Sequence, residues 1–123
     1  MLLSIVLVSA FSINGASTAG FTALDLMEEC EAVVETSPTP KQAMGASHCM
    51  GYLSGIGDAH SIVASMTPSA RLWCEPTVGL TSLDRLTVVA KFLVANPESI
   101  KESARSAVVI AHAKAYPCTP AKP

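Results

Sequence analysis

No cluster of lysines or arginines occurs anywhere in the 123 residues. The 8 basic side chains are scattered singly and are outnumbered by 10 aspartates and glutamates, for a formal charge of −2. Without a basic patch there is nothing to gather phosphates, so DNA and RNA are not expected partners. Long apolar runs are missing as well. The run Leu2 to Val8 is interrupted by Ser9, Ser12 and Asn14, too soon for a permanent membrane span. No stretch alternates well enough to be a strand. No serine sits in a nucleophile elbow, and His112 has no catalytic motif near it. What the chain does have is an apolar content of 50%, enough to close a single core at this length.

The first nineteen residues, MLLSIVLVSAFSINGASTA, carry no charge and read as a secretory signal peptide. Ser17 and Ala19 are the small residues at the −3 and −1 positions of a cut before Gly20, leaving residues 20–123 as a single domain. No Lys or Arg precedes the apolar run, which leaves either a weak export signal or a start further upstream. No cysteine follows it closely, so lipoprotein processing is not indicated.

Four cysteines lie beyond the leader: Cys30, Cys49, Cys74 and Cys118. An even count in a small exported chain implies two disulfides made in an oxidising compartment. Three connectivities exist. The pairs Cys30–Cys49 and Cys74–Cys118 are favoured because each brackets one helical connection.

Four helices are predicted. The first spans about 21–35, with Thr22 and Asp25 as a capping box, an apolar face of Leu24, Met27 and Val34, and acidic residues elsewhere. TSPTP breaks the chain. Thr39 then caps a long second helix from Pro40 to about Met66, with Tyr52, Ile56, Ala59 and Val63 on one side. Its four interior glycines, at 45, 51, 55 and 57, each cost about 1 kcal/mol relative to alanine and need a compensating close approach. The compensation expected is a neighbouring helix lying close to Gly51 and Gly55. TSLD, Thr81 to Asp84, opens a third helix along Leu83, Leu86, Val89, Ala90 and Leu93. NPES closes it and starts a fourth at Pro97, running through Ile100, Ala104, Val108 and Ala111 until Pro117 forbids more. The fold class is therefore all-α, a small four-helix bundle-like domain tied by two disulfides.

Metal chemistry is not expected. His48, Cys49 and His60 are the right residue types for zinc, but twelve helical residues put the two histidines about 18 Å apart along the axis. Cys49 is also more useful in a bridge. Asp58 and His60, two apart, point to different faces. Glu28 and Glu31 are possible neighbours, with no adjacent pattern implying a pocket. No cofactor and no enzymatic activity are expected.

The order Cys49-x-Gly51-Tyr52-x-x-Gly55, then Cys74-x-Pro76, then Asn96-Pro97-Glu98-Ser99, then Tyr116-Pro117-Cys118 resembles the Rap/Tai group of periplasmic immunity proteins, over about residues 30–118. The resemblance implies a small helical periplasmic protein that accompanies type VI secretion. Such a protein binds a peptidoglycan amidase toxin, blocks its active site and protects the producing cell or its siblings. It also implies a possible homodimer. The matching residues are structural, so inhibitory contacts do not carry over. The segment MTPSARLW, Met66 to Trp73, is the candidate contact region, with Arg71 and Trp73 as anchors, because it is the longest irregular stretch. The alternative function is a stand-alone periplasmic helper such as an acid-stress chaperone, with which the many carboxylates are compatible.

Overall fold

The computed structural model describes residues 20–119; the proposed leader, residues 1–19, and residues 120–123 lie outside the described residues. Three helices open on the same reciprocal device. The hydroxyls of Thr22, Thr39 and Thr81 accept the amides of Asp25, Gln42 and Asp84, whose side chains accept the cap amides in return. They start α1 (Ala23–Cys30), α2 (Pro40–Met66) and α3 (Ser82–Ala95). A fourth, α4 (Ala104–Ala115), is capped by Ser103.

Two boundaries differ from expectation. α1 ends as an α-helix at Cys30 and tightens into a 3-10 turn over Glu31–Val34. Pro97 starts only a 3-10 turn, Pro97–Lys101, before α4 begins at Ala104. The reason for the second is long-range pairing. The Ala23 amide donates to the Glu102 carbonyl and the Ala104 amide donates to the Phe21 carbonyl, both at 2.9 Å, making one antiparallel bridge between Thr22 and Ser103. That bridge needs extended backbone at Glu102 and Ser103, where a continuous helix would otherwise run.

Each helix packs on its successor, and α4 returns to pack on α1. The core between them holds Leu26, Cys30, Cys49, Leu53, Val89, Phe92, Leu93 and Val108. Both favoured disulfides form, Cys30–Cys49 with Cα atoms 5.2 Å apart and Cys74–Cys118 with 4.9 Å. The first is buried in the core. The second joins the segment before α3 to the segment after α4, where the Cys74 amide also donates to the Tyr116 carbonyl at 2.8 Å.

The buried faces are rotated from those expected. α1 buries Ala23, Leu26 and Cys30, while Leu24 and Val34 are exposed. α2 buries Cys49, Leu53, Gly57 and Ala64, leaving Tyr52 and Ile56 half-buried and Ala59 and Val63 exposed. α3 buries Arg85 with Val89, Phe92 and Leu93 and exposes Leu83. The Cys30–Cys49 bridge accounts for the first two rotations, since a short covalent link turns both cysteine stripes inward.

The close approach assigned to Gly51 and Gly55 is not there among the described residues: a Cβ at either would meet none of their atoms within 4 Å. The tight positions are Gly45, whose Cβ would touch the Glu29 backbone at 3.5 Å, and Gly57, whose Cβ would collide with Arg85.

At 27 residues α2 is about 40 Å long, far longer than the 14 residues of α3 or the 12 of α4. Its last turns outrun the bundle. Of Ser61 to Met66, only Ala64 is buried.

Candidate functional site

Trp73 organises the end of the molecule where α2 protrudes. It is the single tryptophan of the sequence and only 1% exposed. His60 of α2 stacks on its indole, with ring centroids 3.5 Å apart and planes 12° from parallel, and His112 of α4 packs against it at 5.1 Å. The indole Nε1 donates to Glu75 Oε1 at 3.0 Å, and the same oxygen pairs with the Arg85 guanidinium of α3 at 2.7 Å. Arg85 is itself buried, lying in the space that Gly57 leaves open. Without glycine at 57 this guanidinium could not enter the core.

The histidines have defined tautomers. His60 Nε2 accepts the Leu72 amide at 3.1 Å and the Trp73 amide at 3.4 Å, so the neutral ring carries its proton on Nδ1. His112 Nδ1 donates to the Val108 carbonyl at 2.7 Å, which leaves Nε2 bare, buried and, among the described residues, without a partner.

Burial pushes His60 below the ordinary imidazole value. Glu75 opposes this, and Arg71 and Arg85 add to it. Burial pushes His112 down too, against the Val108 carbonyl that favours the charged ring, with Arg85 also lowering it. For Glu75, burial alone would raise the carboxyl, but the bonds from Arg85 and Trp73 outweigh it and hold it below its ordinary value. The cluster at neutral pH is therefore two neutral imidazoles around one ion pair.

Outside this cluster lies an apolar lip. Ile62 is 60% exposed, Met66 79% and Leu72 57%, with Val63 beside them. A groove of about 250 Å³ runs between α2 and the 70–73 segment, lined by Ile56, Ala59, His60, Val63, Ala70, Leu72, Trp73 and Val109. Exposed apolar surface of this kind, rimmed here by the charge of Arg71, is what protein–protein contact sites are made of. The structure separates the two residues expected as anchors. Arg71 and Leu72 are exposed, whereas Trp73 is buried beneath them.

The sequence reading missed Glu75, Arg85, Gly57 and His112 as members of one cluster. One signal was available: Arg85 stands four residues before Val89 and seven before Phe92, a charge placed on an apolar stripe.

A second concavity lies at the other end of α2. It is a cleft of about 980 Å³ lined by Asp25, Glu28, Glu29, Ala32, Lys41, Gln42, Met44, Gly45 and His48, in a region where the sequence implied no pocket. His48 pairs with Glu29 across it. The zinc candidates are thus dispersed: His48 is on Glu29, Cys49 is bridged and His60 is on Trp73. Among the described residues no three His, Cys, Asp or Glu side chains are grouped so as to hold a metal ion. No helix among them is long and apolar enough to cross a membrane.

A braced helical scaffold presenting an apolar lip is an arrangement suited to binding another protein. Residues 22–118 match the family model of the Rap1a immunity proteins, and the chain belongs to that family. Its role is accordingly one of toxin immunity, with a protein toxin as partner. No curated protein matches the chain, and no solved structure does.

Proposed function

We propose that this protein is exported to the periplasm on a cleaved leader of residues 1–19. There it binds and inhibits a peptidoglycan amidase delivered by type VI secretion, acting by occlusion rather than by catalysis. Family membership supports the immunity role, and the two disulfides are in keeping with an oxidising compartment. The observation that carries the reading is the lip of Ile62, Val63, Met66 and Leu72 with Arg71. It protrudes beyond the bundle, and the Trp73 cluster and the Cys74–Cys118 bridge brace it from behind.

A braced segment loses little conformational entropy when it docks, so its apolar contacts translate efficiently into affinity. Leu72 and Met66 supply the apolar contact, and Arg71 supplies a fork of donors for carbonyls or carboxylates at the mouth of a toxin cleft.

The test is capture of the native partner by the exported protein from periplasmic and secreted proteins of its own cells, followed by an amidase assay. Capture of a peptidoglycan amidase with loss of its activity supports the proposal. Capture of many unrelated clients at acidic pH, with no amidase among them, moves the reading to an acid-stress chaperone.

A further inference from the structure

Beside the buried Trp73 indole and the Cys74–Cys118 bridge, which stay anchored to the bundle, two backbone amides of the 71–73 segment are satisfied at one imidazole nitrogen. His60 Nε2 accepts the amides of both Leu72 and Trp73, and its only free valence for a proton is that same lone pair, because Nδ1 already carries hydrogen in the neutral ring. An incoming proton therefore lands between two N–H groups. Acceptor becomes donor, and both bonds fail together.

We propose that His60 is a proton-released latch: the neutral ring closes the Leu72 and Trp73 backbone amides onto α2, and protonation of Nε2 releases those amides and with them the exposed Arg71–Leu72 part of the lip. As a statement about the protein alone this stands on the geometry. Its consequence, acid release of a bound toxin, rests on the docking reading above.

The groups around His60 decide whether the protonated ring can stay in place. Arg71 on the same segment and Arg85 from α3 are both cationic and oppose a third positive charge. Glu75 is the anion among them, but its Oε1 is already engaged by Arg85 and by the Trp73 indole. The face of the Trp73 ring favours a stacked cation, yet that attraction does nothing for the two amides that have lost their acceptor. His112 from α4 reinforces the response. Its Nε2 is buried and, among the described residues, unpartnered, so a proton there would place a charge beside Trp73 with no acceptor for it. The latch is thus backed by a second imidazole that resists charging in the closed state.

The release should be proton-coupled with a slope of about tenfold in the open fraction per pH unit below the ordinary imidazole value. Amide exchange in the full oxidised chain, corrected for intrinsic rates, measures it directly. Between pH 7.5 and 5.0 the protection of the Leu72 and Trp73 amides should hold down to the ordinary imidazole value and fall at about that slope below it, while amides within α1 remain the better protected. The His60 ring shifts should titrate with the same midpoint. His60→Gln retains an oxygen that can accept but cannot titrate, and it should flatten the slope.

Unchanged protection of Leu72 and Trp73 across this range overturns the latch. So does a His60 titration at a different midpoint, measured in the unaltered chain should His60→Gln fail to fold. Toxin capture is a separate arm. No amidase bound at pH 7.5 counts against the docking reading and leaves the latch standing. Capture at pH 7.5 that is lost at pH 5.0 in the natural chain, and retained in His60→Gln, joins the two.

Discussion

The guanidinium of Arg85 occupies the side-chain space of Gly57: a Cβ at that glycine would stand 2.3 Å from Arg85 Cζ. Arg85 cannot swing aside freely, because it is buried and paired with Glu75 at 2.7 Å. Gly57→Ala should therefore destabilise the protein by about 1–3 kcal/mol, despite the gain in helix propensity. Gly55→Ala, in open space on the same helix, should be stabilising by up to about 1 kcal/mol. Thermal melts of the two variants should shift in opposite directions. A matching shift would deny Arg85 its place.

Glu75 is the anion paired with Arg85 beside Trp73. Glu75→Gln keeps an acceptor for the indole but leaves a buried cation unpaired, which costs about 3 kcal/mol or more. Arg85→Leu introduced alongside it should recover part of that loss. Urea midpoints of the single and double variants check this.

Trp73→Ala removes the support beneath the lip and should cost about 3–5 kcal/mol, a core truncation. Met66→Asp and Leu72→Asp, at exposed positions, should leave the melting temperature nearly unchanged and weaken toxin binding. Calorimetric titration with the cognate toxin, beside melting curves, separates the two roles.

Opening Cys74–Cys118, which spans 44 positions, should cost about 4 kcal/mol on the chain-entropy account, against about 3 kcal/mol for the 19 positions of Cys30–Cys49. Replacing Cys74 and Cys118 together by serine should also change Trp73 fluorescence, because Trp73 adjoins the bridge. Chemical denaturation followed at the indole reads both effects.

Acid should weaken the fold in two stages. His60 and His112 have folded values below 6.5, so the unfolded chain binds protons first and stability is lost as pH falls from about 6.5. Asp25 and Asp84 are held below 3.8 by their capping threonines, and the stability they contribute is present above that value and lost beneath it. A plot of melting temperature against pH should show both declines. Asp25→Asn should reduce only the lower one.

Much of the fold was legible because its signals are local. A capping box needs only four residues, so Thr22, Thr39 and Thr81 announced three helix starts that the structure places as expected. Both cysteine pairs followed from the order of helices. Pro97 misled, because a proline suits any helical first turn and cannot report that Ser103 will pair with Thr22 across the molecule. Gly51 and Gly55 misled for the same reason: a glycine permits close approach without saying what approaches.

The sequence by itself determined an all-α chain with three capped helix starts, two disulfides and family membership, since caps, breakers and cysteine order act over short spans or through covalent bonds. Only the tertiary structure decided which faces turn inward, that Gly57 admits Arg85, and that Trp73 lies under the lip while Arg71 stays outside. Those choices depend on desolvation, and whether a side chain loses its water is set by neighbours that lie far away along the chain.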